Sequence, residues 1–276
     1  MTIVGVLYVP NSPTLVGPMP GWDGHPQNEL ALSKLGKALK AETEVALVVS
    51  PHFVTGDSLA AVGTPRLRQV YDFQGFPEAF YRVRYEPPGA PDVARELELL
   101  TRKKGIPFGL TEDWGLDHGA WSALLHLFPG ADVPVVPLSI SPHLGTEAHV
   151  LLGGAARELA RTHRVLVIAT GSLIHNFDLL SEPDPETLRS AREYLHAVET
   201  ALGEGDWEGA WDIPELLYRA AEPEGGELPL RFLSGVLTGP FRAHVLAEET
   251  LRGALSMTTI RFEERKDGRD PAPPPD

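Results

Sequence analysis

Side chains able to bind a metal or move a proton stand where the sequence breaks its apolar runs. His52 follows the run VALVV (45–49) through Ser50 and Pro51, and His118 lies in WGLDHGAW (114–121). His175 closes VLVIATGSLIHN (165–176), and Glu224 sits beside Gly225 and Gly226 in an acidic stretch, 222–227. A histidine has two ring nitrogens and an ordinary pKa near working pH, so it serves as an acid, a base or a metal ligand. A lone histidine after a strand is more often a satisfied structural residue. Two histidines and one carboxylate with open positions form the facial arrangement used by non-haem Fe(II) oxygenases. These residues are far apart in the chain, so their spacing selects no metal and no reaction.

The elements that must position them are readable from periodicity. The β-branched run 165–170 reads as a strand covered on both faces, as in a mainly parallel α/β sheet. It stops at Gly171, and Gly171 and Ser172 let the backbone turn. His175 then leaves a loop at the carboxyl edge of the sheet, where open α/β sheets place their ligands. Further strands are expected at 3–9, 45–49 and 133–140, with closing strands at 242–247 and 255–262. Helices are expected at 26–41, with Leu32, Leu35 and Leu39 on one face, and at 91–104, with Val93, Leu97 and Leu100 inward and Gly105 as the stop. A short helix ends at Leu127 with Asp117 or His118 at its start. Another spans 146–162, where Gly153 and Gly154 point to close packing. Asp184 and Pro185 cap a helix with Leu188, Ala191, Leu195, Val198 and Leu202 on its buried stripe, and an apolar helix covers 228–237. The expected architecture is one α/β domain over 1–264, a mainly parallel central sheet flanked by helices, followed by a disordered Pro-rich tail over 265–276.

The stretch 60–85 is rich in turns and rings, with YDFQGFPEAFY (71–81) at its centre. Long ordered loops tend to carry function. Its rings either form a small core beneath the loop or meet a ligand. Phe76 and Tyr81, together with Phe53 beside His52, are the candidates for substrate contact.

Composition narrows the chemistry. The chain has no cysteine, so there is no thiolate nucleophile and no Cys-bound metal, and any metal must rest on His, Asp, Glu or Asn. A net charge of −14 argues against nucleic acid and anionic membrane as partners, because both require a basic face. No apolar run approaches the roughly 20 residues that span a bilayer, and residues 1–10 lack the pattern of a signal peptide. A cytoplasmic protein is expected.

Several segments together resemble a known family. SPHF (50–53), YDFQGFPEAFYRVRYEPPGAP (71–91), WGLDHGAWSALLHLFPGADVPVVPLSI (114–140), GSLIHN (171–176) and GALSM (253–257) are similar in wording, order and spacing to the class III extradiol ring-cleavage dioxygenases. The likeness is to the branch containing 4,5-DOPA dioxygenase and runs from about residue 4 to residue 262. It implies a mononuclear metal site, Fe(II) foremost and Zn(II) as the alternative, in a single α/β domain. A small aromatic substrate of the catechol type would bind through both oxygens, with O2 inserted beside the diol, in a chain able to form a homo-oligomer. By motif, His52 corresponds to a metal ligand, His175 to the general acid/base and His118 to a residue near substrate or oxygen. Glu224, in EGGEL (224–228), is the best match for the carboxylate ligand, with Glu227 the fallback; in the DOPA-type branch a histidine occupies this region, near Gly226.

One stretch departs from the pattern. The family's first metal histidine follows the first strand just before Ser-Pro, and here that stretch reads PNSPT (10–14). Asn11 could supply an amide oxygen, or His25 could enter from the following loop; alignment on Ser12 and Pro13 places the family histidine at Pro10 instead. A different metal-dependent activity and a non-catalytic scaffold stand as the other readings. His126, His143, His149, His163, His196 and His244 read as surface or packing residues.

Overall fold

Along the strands, successive side chains leave on opposite faces, and both faces here are apolar. The computed structural model describes residues 2–17 and 24–265. In β1 (Thr2–Val9), Val6 and Tyr8 enter one buried cluster while Leu7 and Val9 enter the other. The chain continues through α1 (Pro26–Leu39), β2 (Val45–Val54), β3 (Leu59–Val62), α2 (Pro91–Lys103), β4 (Phe108–Thr111), α3 (His118–Leu127) and β5 (Val135–Ile140). Then come α4 (Gly145–Leu159), β6 (Arg164–Thr170), the short α5 (Asp178–Ser181), α6 (Pro185–Glu204), α7 (Trp207–Trp211), α8 (Glu215–Ala221) and α9 (Leu228–Val236). The hairpin β7 (Phe241–Leu251) and β8 (Leu255–Glu264) closes the fold.

The strands form one sheet in the order β4-β3-β5-β2-β6-β1-β8-β7. β5, β2, β6 and β1 are parallel neighbours, as are β3 and β4. β3 runs antiparallel to β5, and the β7–β8 hairpin is antiparallel within itself and to β1. This is the mainly parallel sheet that the run 165–170 implies. Helices α2, α4, α6 and α9 cover one face, while α1, α3 and the aromatic loop cover the other.

Two details bear on the site. α4 and α9 cross so closely that a Cβ on Gly153 would lie 2.0 Å from Phe232 O, and one on Gly235 would lie 1.9 Å from Val150 O. That contact fixes the loop leading into α9, which carries Glu224; Gly154 meets nothing nearer than Lys104 Nζ at 3.9 Å. β2 runs on through Val54, so His52 lies within the strand instead of after it.

β3 and β4 were not among the expected strands, because four residues are too few for a period of two to show. The expected tail lies, apart from Arg265, outside the described residues. Among the described residues no helix is long and apolar enough to cross a membrane.

Candidate functional site

Three neighbouring parallel strands end at one cavity. Asn11 follows β1, His175 follows β6, and His52 lies near the end of β2, with β6 between the other two. Glu224 reaches the same place from the loop between α8 and α9, its backbone N–H donating to Ser172 O at 2.9 Å. His118 opens α3, capped by Asp117 through Ala120 N, and Asp72 arrives from the aromatic loop. All but the capping Asp117 line a cavity of about 460 Å³.

At its centre is the His52 imidazole, held between two carboxylates. Its Nδ1 is 3.0 Å from Asp72 Oδ2 and its Nε2 is 2.8 Å from Glu224 Oε1. Asn11 Nδ2 donates to Glu224 Oε2 at 2.7 Å, and His175 Nε2 lies 3.6 Å from Glu224 Oε1. On the other side, Asp72 Oδ1 accepts from His118 N at 2.9 Å and is 2.8 Å from His118 Nδ1. The His52 and His118 rings meet edge to face at 4.1 Å.

The support beneath is equally specific. Asp117, fully buried, accepts from Ser50 Oγ at 2.6 Å and from Trp114 Nε1 at 3.0 Å. Ser50 Oγ in turn accepts from His52 N at 3.3 Å. At Gly119, a Cβ would lie 2.6 Å from Ser50 Oγ and 2.8 Å from His52 Cδ2. Only glycine lets the ring rest against the first turn of α3.

The electrostatics follow from this wiring. Burial alone would lower the His52 pKa, but the hydrogen bonds to Asp72 and Glu224 push it up to about 10. Burial opposes ionisation of Asp72, and the hydrogen bonds with His118 and His52 outweigh it, holding that carboxyl well below its usual range. Glu224 behaves likewise: burial raises it, while the His52 hydrogen bond and the nearby His175 bring it below the ordinary value. Asp117 goes the other way, raised by burial and by the neighbouring Asp72 charge.

These side chains fit a divalent cation. His52, Asp72 and His118 offer ligand atoms within 4.8 Å of one another, and Glu224 adds a second carboxylate on the far side of His52. Asp72 occupies the Nδ1 atoms of both imidazoles, the usual place of a carboxylate that orients a metal-binding histidine. His52 Nε2 is thereby aimed at Glu224. Two donors each about 2.1 Å from one ion at a right angle lie roughly 3 Å apart, which the 2.8 Å separation matches. An ionised carboxylate, an imidazole nitrogen and an amide therefore converge on one point of the cavity wall.

The sequence-derived residues fall into two groups. His52, His118, His175, Glu224, Asn11 and Phe76 all line the cavity. Phe53 and Tyr81, expected against the substrate, do not. With His52 turned to the cavity, the next side chain on the strand turns away, and Phe53 stacks on Trp114 at 5.4 Å with 4% exposure. Tyr81 packs behind Phe73 and donates its hydroxyl to Phe73 O. Glu227 pairs with Arg231 outside the cavity. His25 is buried with its Nε2 2.6 Å from Thr14 Oγ1, so it does not stand in for the missing histidine. Asp72 is not among the residues that the sequence singles out, although it stands inside the aromatic motif. An isolated acid in a loop carries no spacing signal, and only the fold shows that it serves both histidines.

The chain is similar to known proteins over most of its length. Residues 15–257 match the family model described as the catalytic LigB subunit of aromatic ring-opening dioxygenase; the match starts beyond Asn11. A 4,5-DOPA dioxygenase extradiol of Escherichia coli (strain K12) is 32% identical over 247 residues, covering 83% of this chain and 85% of the relative. One of Portulaca grandiflora is 32% identical over 227 residues, covering 78% and 81%. The crystal structure of an uncharacterized protein from Escherichia coli K12 superposes with a TM-score of 0.69 at 24% identity, over 93% of this chain and 98% of that one, which establishes the shared fold.

Proposed function

The chain belongs to the family of the catalytic LigB subunit of aromatic ring-opening dioxygenases, and we propose that it cleaves a catechol-type ring beside the diol, using O2 and a single non-haem metal ion. Membership implies a metal site, a small substrate and dioxygen. Fe(II), with Zn(II) the alternative, would be held by His52 Nε2 and the Glu224 carboxylate, with Asn11 as the third donor. Here it donates Nδ2 to Glu224; a half-turn of the amide presents its oxygen in the same place. The observation that carries the reading is the His52 ring, fixed by Asp72 at one nitrogen so that the other converges with Glu224 on the cavity.

A bound Fe(II) supplies Lewis acidity toward a phenol oxygen and a redox partner for dioxygen. The remaining work belongs to side chains. His175 lines the cavity with Nε2 near Glu224, placed to take a proton from the diol and return it later, as an imidazole can. His118, with Nδ1 engaged by Asp72, keeps its other ring nitrogen for the substrate. Phe73 and Phe76 form an apolar wall that excludes water and receives a flat ring.

The test is anaerobic Fe(II) titration followed by dioxygen uptake with a panel of catechols, on wild type, Asn11→His and the control Pro10→His. Wild type should bind Fe(II) and consume dioxygen in step with ring-opened product. Asn11→His should bind Fe(II) more tightly, since an imidazole nitrogen suits this metal better than an amide oxygen. Failure of metal binding and uptake in both wild type and Asn11→His would remove the enzymatic reading.

A further inference from the structure

Much of the cavity lining is hydrocarbon, from Phe73, Phe76, Phe177, Leu180, Leu255 and Met257. Phe73 and Phe76 meet edge to face at 5.2 Å. Among the described residues no lysine or arginine lines the cavity, and the sequence 18–23, PMPGWD, contains neither. Beyond the histidines, carboxylates and Asn11 of the site itself, the polar lining groups Gln74, Ser12 and Ser172 are neutral.

Each oxygen of the two carboxylates that line it already meets a partner. Asp72 Oδ1 meets His118 and Oδ2 meets His52; Glu224 Oε1 meets His52 and Oε2 accepts from Asn11. A substrate carboxylate would lose its water, find no lysine or arginine, find the His52 ring already held between Asp72 and Glu224, and stand near two anions, which is unfavourable. A substrate ammonium would have to take a carboxylate oxygen from His52, His118 or Asn11. A hydrocarbon substituent meets neither obstacle, and it covers apolar wall, including Phe177, which is 56% exposed and stacks edge to face on His175 at 4.7 Å.

Resting on the ring-cleavage reading above, we infer that the preferred substrate is a catechol with an uncharged, apolar substituent, such as an alkylcatechol. The cavity of about 460 Å³ is in the range that holds a ligand larger than one bare ring.

The test is equilibrium binding by anaerobic calorimetry to the Fe(II)-supplemented protein, with turnover measured separately. The probes are 4-ethylcatechol, 3,4-dihydroxyphenylacetate, 4-(2-aminoethyl)catechol and 3-(3,4-dihydroxyphenyl)alanine. 4-Ethylcatechol should bind about tenfold tighter than any charged probe, or better. Phe177→Arg, which places a cation at the mouth, should close most of that gap for 3,4-dihydroxyphenylacetate and not for the amine; Phe177→Met should not close it. Equal or tighter binding of a charged probe to wild type overturns the inference, as does failure of 4-ethylcatechol to bind. If 4-ethylcatechol binds preferentially yet consumes no dioxygen, the selectivity of the cavity for an apolar substituent stands and the ring-cleavage reading falls.

Discussion

Glu224 and Glu199 are both carboxyl groups withdrawn from water, and their neighbours drive them in opposite directions. Around Glu224 stand His52, Asn11 and His175, and the His52 hydrogen bond overcomes the cost of burial to keep the group ionised. Glu199, on α6, faces Glu248 on β7; burial and the second carboxylate push it up to about 8, and one of its oxygens finds no partner. One end of the sheet thus assembles an anion among donors, while the β7–β8 side closes around a carboxyl group that keeps its proton. Only the first can answer a metal cation. The residue type is the same in both places, so the chemistry resides in the imidazoles.

The largest effect should come from removing the imidazole that makes the two regions differ. His52→Ala leaves Glu224 and Asp72 without their shared partner and deletes a ligand, so Fe(II) affinity should fall by more than about a hundredfold while the protein stays folded. Glu224→Ala should do the same, measured by metal content after anaerobic desalting. If Glu224→Ala kept its metal while Glu227→Ala lost it, the carboxylate assignment would be wrong.

His175→Ala separates proton transfer from ligation. Metal and catechol binding should persist, and turnover should drop about a hundredfold or more, as for a lost acid/base. Unchanged oxygen uptake would take His175 out of that role.

Asp72→Asn should have a smaller effect, lowering metal affinity about tenfold to a hundredfold, as for other carboxylates that orient a ligating histidine. Fe(II) titration reads it directly. An affinity equal to that of wild type would mean that the His52 ring is held by packing against Gly119 and His118 alone.

This residue also marks where sequence reading stops. The strands β1, β2, β5 and β6 are legible because their apolar runs are long enough to show a covered strand, and the helices α1, α2 and α6 because their leucines recur at helical spacing. His52, His118, His175 and Glu224 are legible as groups at element ends and as parts of motifs. Asp72 is not, since its meaning depends on a loop folding back over α3, and β3 and β4 are too short to declare themselves. Phe53 was misplaced for a related reason. With the strand taken to end at Val49, the alternation that turns Phe53 away from His52 could not be applied.

The smallest effect tests the other side of the comparison. A carboxyl group raised from 4.5 to about 8 binds its proton more tightly in the folded chain than in the unfolded one. Between those two values the folded chain retains a proton that the unfolded chain has released, so stability falls as pH rises across the window and the loss is complete above the upper value. Glu199→Gln has no proton to give up and should escape that fall. The advantage of Glu199→Gln should therefore grow through that window, reach its full size above pH 8 and shrink toward zero near pH 4.5. Denaturant unfolding of both proteins across pH 5 to 9 measures the difference. If the two stability curves run parallel, Glu199 ionises as an ordinary carboxylate, and the contrast with Glu224 must be sought in hydrogen bonding instead of in charge.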